Sequence, residues 1–147
     1  MKLKEKGVSY PWGEQKPLAA QRYQVAEGVY WIRMPLPFAL DHINVWLLED
    51  EIEGQRGWTL VDTCIARPEV QALWRQIEAE QFDGLPLLRV IVTHMHPDHV
   101  GLAGWLCERW HAPLLMSLGD YALACLWAVP GQGDAVLGGT GGEAAAL

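Results

Sequence analysis

Positive charge is scarce in this chain of 147 residues: Lys and Arg number 11 against 18 Asp and Glu, a net charge of −7. Such a chain has no electrostatic footprint for nucleic acid, whose binding rests on neutralised phosphates. It has no basic surface for an anionic membrane either. Long hydrophobic runs are also missing. No stretch approaches the roughly 18 apolar residues of a membrane span, and no apolar segment follows the charged start Met1-Lys2-Leu3-Lys4-Glu5-Lys6 as it would in a secretory signal. Cysteine is sparse and odd in number. Cys64, Cys107 and Cys125 lie far apart and form no CxxC pair, so no disulfide framework is expected, and reduced thiols in a cytoplasmic protein are.

What is present is a globular composition, 50% hydrophobic, on a chain long enough for one domain with a core. Chemical density is concentrated in one place. Thr93-His94-Met95-His96-Pro97-Asp98-His99 holds three of the five histidines and a carboxylate. It follows the apolar run Val90-Ile91-Val92 and precedes a helix-like run from Val100, so the order is strand, ligand-rich loop, helix. Neutral imidazole and carboxylate are the side chains that bind zinc and similar divalent ions near neutral pH. His94 and His96 are two apart, so in an extended loop they leave the same side of the backbone and reach one ion. Pro97 biases His96 away from helical geometry and keeps the loop extended there. Asp98 and His99 can reach a second ion, or Asp98 can orient a water as a general base. An ion held here would polarise a carbonyl and lower the pKa of a bound water to about 7, supplying hydroxide.

His94-x-His96-x-Asp98-His99 resembles the signature of the metallo-β-lactamase-fold superfamily, and Trp58-Thr59-Leu60-Val61-Asp62-Thr63 resembles the strand and acidic turn that precede it in that family. The resemblance covers roughly 29–129. It implies an αββα sandwich, of which this chain carries the N-terminal half, with mixed α/β or α+β character. It also implies one or two metal ions at the sheet edge and hydrolysis of a carbonyl-type bond in a small-molecule substrate. By resemblance, His94 and His96 fall on the first metal, Asp98 and His99 on the second, and Asp62 on the position that supports the metal loop from behind. The family usually has glycine after the Asp-Thr pair, where this chain has Cys64.

In chain order, residues 1–22 read as a polar N-terminal arm, 23–129 as the domain, and 130–147 as a flexible Gly/Ala-rich tail. Gln24 to Arg33 reads as a β-hairpin turning at Glu27-Gly28, Ile43 to Leu48 as a strand, Glu49 to Gly57 as a polar turn and Trp58 to Val61 as a third strand. Pro68 opens a helix to Gln81 with Val70, Leu73, Trp74 and Ile77 on one face. Gly84 and Pro86 end it. Leu87 to Val92 reads as a buried strand, Val100 to Trp110 as a helix, and Leu114-Leu115-Met116 as a short strand. Ser117 and Asp120 have capping-box spacing for a last helix through Trp127. Eight tryptophans at these spacings are expected chiefly in the core.

A catalytic zinc usually has three protein ligands plus water, and His94 and His96 supply two. The family takes its remaining ligands from its second half. Of the histidines and aspartates that the resemblance calls for there, this chain has downstream only His111, on the order of 15 Å away beyond the helix, Asp120, assigned to capping, and Asp134, in the tail. A chain truncated by a frameshift or early stop is one expectation, with an open sheet edge and apolar face that favour self-association. The leading expectation is a zinc hydrolase of a small ester, thioester or lactam-like substrate. An iron-containing relative and a non-catalytic metal-binding remnant are the alternatives. His42, ahead of a strand, is a surface histidine by default and a candidate substrate contact.

Overall fold

The computed structural model describes residues 3–128, with side chains described from Lys6 onward. The expected tail at 130–147, and Asp134 with it, lie outside the described residues. Inside the expected N-terminal arm, β1 (Leu3–Glu5) and β2 (Val8–Tyr10) pair as an antiparallel ribbon. Lys6 and Gly7 turn it with φ of +48° and +83°, so the arm is not wholly irregular.

The body is one six-stranded sheet in sequence order. β3 (Arg22–Ala26), β4 (Val29–Pro35), β5 (His42–Ile52) and β6 (Gln55–Val61) form an antiparallel meander, and β7 (Leu87–Ile91) and β8 (Leu114–Leu115) add in parallel. Parallel pairing needs a crossover of a dozen or more residues. The 14-residue helix α1 (Pro68–Gln81) supplies one between β6 and β7. The short turn α2 (Pro97–Val100) and α3 (Ala103–Trp110) supply the next, and α4 (Leu118–Trp127) follows β8. No helix among the described residues is long and apolar enough to cross a membrane.

Two elements depart from the sequence expectation. The segment from Glu49 to Gly57 is a continuous hairpin rather than a polar turn: β5 runs to Ile52 and β6 starts at Gln55. Glu53 and Gly54, at φ +51° and +79°, carry the reversal alone, the two-residue turn whose twist suits paired strands. Glu49, Glu51, Glu53 and Arg56 face water, which backbone pairing tolerates. The expected helix over 100–110 is two pieces. Pro97 opens α2 three residues early, and Leu102 (φ −103°, ψ 10°) breaks the run before α3. Asp98 and His99 therefore ride on a helical turn, while His94 and His96 precede it.

One face of the sheet is the core. Ile32 pairs with Val45, and Leu47, Leu60 and Val90 align across three strands. Val70, Trp74 and Ile77 of α1 and Leu106 of α3 join the same buried cluster. On the other face one row of register partners crosses all six strands: Tyr23, Trp31, Trp46, Val61, Ile91 and Leu115. None of these six is buried. In β7, which the sequence reads as a buried strand, Leu87 and Val90 are buried while Leu88, Arg89 and Ile91 are only half-buried. The tryptophans divide in the same way: Trp58 and Trp74 are core residues, and Trp12 and Trp127 are exposed.

Candidate metal centre

β6 and β7 run parallel, so both end at the same edge of the sheet. Asp62 leaves the end of β6, and the loop from Thr93 leaves the end of β7. The turn after β6 is unusual. Asp62 and Cys64 both have left-handed backbone, at φ +64° and +71°. A side chain makes that conformation unfavourable by roughly 1 to 2 kcal/mol per residue. Several bonds over-determine it. The Asp62 amide donates to the Ile91 carbonyl (2.8 Å) and the Thr63 amide to the His99 carbonyl (2.9 Å). The fully buried Thr63 hydroxyl donates to the His99 carbonyl (2.8 Å) and accepts from the Leu102 amide (3.1 Å). Trp74 Nε1 reaches from α1 to donate to the Thr63 carbonyl (2.8 Å). Thr63 is thus the hub that joins the turn, α1 and the start of α3. Only its neighbours in space, not its local sequence, reveal it.

These constraints aim the Asp62 carboxylate into the loop. Oδ1 accepts the Thr93 amide (2.8 Å), the Thr93 hydroxyl bonds to both oxygens (3.0 and 2.9 Å), and Oδ2 lies 2.8 Å from His99 Nδ1. Burial of Asp62 opposes ionisation. The bonds from His99 and Thr93, with the charge of His99, outweigh it and hold the carboxyl below its ordinary range. For His99 burial likewise opposes charge, and Asp62 and Asp98 outweigh it, raising the imidazole above its ordinary value.

The imidazoles converge. His96 is extended (φ −63°, ψ 143°) before Pro97. His94 Nε2 lies 2.9 Å from His96 Nδ1. The His94 ring centroid is 4.6 Å from that of His96 and 3.9 Å from that of His99. His94 Nδ1 is turned back to the Thr93 hydroxyl (2.9 Å), which leaves Nε2 facing forward. On the far side His99 Nε2 is 3.5 Å from Asp98 Oδ2. Two nitrogens on one tetrahedral zinc stand about 3.3 Å apart, within a few tenths of an ångström of the His94–His96 separation. The Asp62–His99 pair has the carboxylate–histidine form that orients metal-bound imidazoles. The donor set fits a divalent ion in kind. Among the described residues no three His, Cys, Asp or Glu side chains already surround one point.

The remaining sequence candidates lie elsewhere. His42 Nδ1 sits 2.6 Å from Asp41 and 2.9 Å from Arg33, at the same sheet edge but on β5, two strands from β7. His111 closes α3 in left-handed backbone. Cys64 is buried, its Sγ 3.6 Å from the Pro35 carbonyl, and burial pushes its thiol up to about 12. Asp120 does more than cap. Ser117 Oγ accepts its amide (3.1 Å), as the spacing predicts, but Asp120 Oδ1 also accepts the amide of Met95, between His94 and His96 (3.1 Å).

Residues 39–136 match the sequence profile of the Metallo-beta-lactamase superfamily. The chain is similar to the crystal structure of a beta-lactamase domain protein from Burkholderia ambifaria, at 55% identity and TM-score 0.80, over 81% of this chain and 37% of that one. A metallo-beta-lactamase family protein from Thermus thermophilus aligns at 26% identity and TM-score 0.58, over 74% of this chain and 35% of that one. A hydroxyacylglutathione hydrolase from Synechococcus is 31% identical over 86 residues, 58% of this chain and 29% of its own length. The chain thus spans less than two fifths of each of these relatives. With the mixed sheet, the crossover helices and the loop at the β7 edge in agreement with that match, the chain belongs to the metallo-beta-lactamase superfamily.

Proposed function

We propose that this chain carries the HxHxDH metal-binding portion of a zinc-dependent hydrolase acting on a small ester, thioester or lactam-like substrate. The observation that carries this reading is the convergence of His94 Nε2 and His96 Nδ1 at 2.9 Å, beside a His99 oriented by Asp62. A divalent ion bound there supplies Lewis acidity and a water that ionises near neutral pH. His94 and His96 hold the first ion; Asp98 and His99 hold the second. With one ion bound, Asp98 orients the attacking water and accepts its proton. The Synechococcus relative is by name a hydrolase of an acylated glutathione, which favours the thioester among the three substrate classes. Iron suits the same donors, and reduced Cys64, Cys107 and Cys125 suit a cytoplasmic setting.

Elemental analysis of purified chain, grown without metal supplement, tests the reading. The expected result is bound zinc that is lost in His96→Ala, with thioester hydrolysis abolished by chelator. Iron in its place selects the iron reading. Tightly held metal without hydrolysis selects a non-catalytic metal-binding role, which the want of a third first-site ligand beside His94 and His96 favours. The open row through Trp31, Trp46 and Val61 supports self-association of this chain. Trp46→Lys is expected to shift it toward monomer in light scattering.

A further inference from the structure

We propose that Asp120 is a positioning residue of the ligand loop, the counterpart on the β8 side of Asp62 on the β6 side. The inference rests on the metal-site reading above. β7 lies between β6 and β8, and the ladder to β8 continues past the strand, with the Val92 amide donating to the Leu115 carbonyl (2.9 Å). This brings the first turn of α4 alongside the loop. Asp62 Oδ1 then accepts the Thr93 amide at 2.8 Å, and Asp120 Oδ1 accepts the Met95 amide at 3.1 Å. Each carboxylate follows a strand that flanks β7, and each takes one of two alternate amides around His94.

The second hold on Met95 is its side chain, which packs against the core. With the amide and the side chain both fixed, the peptide joining His94 to Met95 has little rotational freedom. That peptide sets the spacing of the two imidazoles. Asp120 is itself fixed, since the Ser117 hydroxyl donates to its other oxygen. Partners that orient metal ligands in this way typically change affinity by about 10- to 100-fold when removed.

The test compares Asp120→Ala, Asp120→Asn and Ala124→Gly in the full chain with two readouts. One is hydrogen exchange of the Met95 amide in metal-free protein. The other is zinc affinity by competition with a chromophoric chelator. Ala124→Gly loosens α4 from its buried side without touching the loop. Asp120→Ala is expected to speed Met95 exchange and weaken zinc by about tenfold or more. Asp120→Asn, whose amide oxygen still accepts the Met95 N–H, retains protection of that amide. Ala124→Gly lowers Tm and changes neither readout. Unchanged Met95 exchange in Asp120→Ala, or equal changes in Ala124→Gly, overturns the inference. If the wild-type chain takes up no zinc, the metal-site reading fails, and the exchange readout still decides whether Asp120 holds the His94–His96 segment.

Discussion

Asp62 Oδ2 lies 2.8 Å from His99 Nδ1, and that one contact decides which nitrogen of His99 faces the site. A carboxylate kept ionised accepts a hydrogen bond from a protonated nitrogen, so Nδ1 carries the hydrogen and the neutral ring turns its Nε2 lone pair toward the site. The same carboxylate holds the Thr93 amide, so it fixes both the ring and the loop from which the other imidazoles project.

Asp62→Ala should therefore damage the loop and the fold together. It leaves the Thr93 amide without its partner and removes a nearly buried, multiply bonded anion. The expected loss is roughly 3 kcal/mol in urea denaturation of metal-free protein, in line with charged hydrogen bonds plus desolvation. Zinc affinity should fall by about 10- to 100-fold. Stability within about 0.5 kcal/mol of wild type would show that the turn is held mainly by Thr63.

Gly101 sits where α2 meets the turn after β6. A Cβ there would lie 2.7 Å from the Ala66 amide nitrogen and 2.8 Å from the Cys64 carbonyl oxygen. Both are backbone atoms that the Thr63 network holds in place. Gly101→Ala is expected to destabilise by about 2 to 3 kcal/mol, the scale of overpacking at a rigid contact. Gly104→Ala, with open space at that position, is expected to be neutral or slightly stabilising. Thermal unfolding of the two variants side by side checks the contrast.

Cys64 occupies left-handed backbone at φ +71°. Ala and Gly both remove the buried thiol, so comparing them isolates the backbone. In an ordinary helix Ala is the more stable. Here Cys64→Gly should exceed Cys64→Ala by about 1 kcal/mol, because glycine enters this region freely. The reverse order in chemical denaturation would contradict the strain.

Far from the site, the Thr59 hydroxyl donates to Asp50, whose Oδ2 also pairs with Arg89 Nη2 at 2.6 Å. The Thr59 bond comes first among the effects that hold the Asp50 carboxyl below its ordinary value, and Arg89 adds to it against the effect of burial. A depressed folded pKa contributes stability above the unfolded value, near 3.9. That contribution disappears as pH falls through the lower folded value. Wild type should lose stability on acidification below about pH 4 more steeply than Asp50→Asn. Parallel pH profiles of the denaturation midpoint would refute this.

Much of the site was legible because its signals are local. The two-residue spacing of His94 and His96, the effect of Pro97 on the residue before it, the 3.6-residue rhythm of Val70, Trp74 and Ile77, and the Ser117 cap each concern groups a few residues apart. Such groups meet whatever the rest of the chain does. The long hairpin at Glu53-Gly54 was hidden because its charged residues follow solvent exposure, whereas pairing follows the backbone. The break at Leu102 was hidden because an apolar residue there suits a continuous helix equally well.

By itself the sequence determined the order of strand, ligand loop and helix, and the set of imidazoles and carboxylates available to an ion. Only the tertiary structure decided how those groups are aimed. Asp62 is 37 residues from the His99 ring it orients, and Asp120 is 25 residues from the Met95 amide it accepts. Neither contact has a local signal. Each exists because the strands on either side of β7 end at the same edge, and burial of the opposite face sets the register that brings them there.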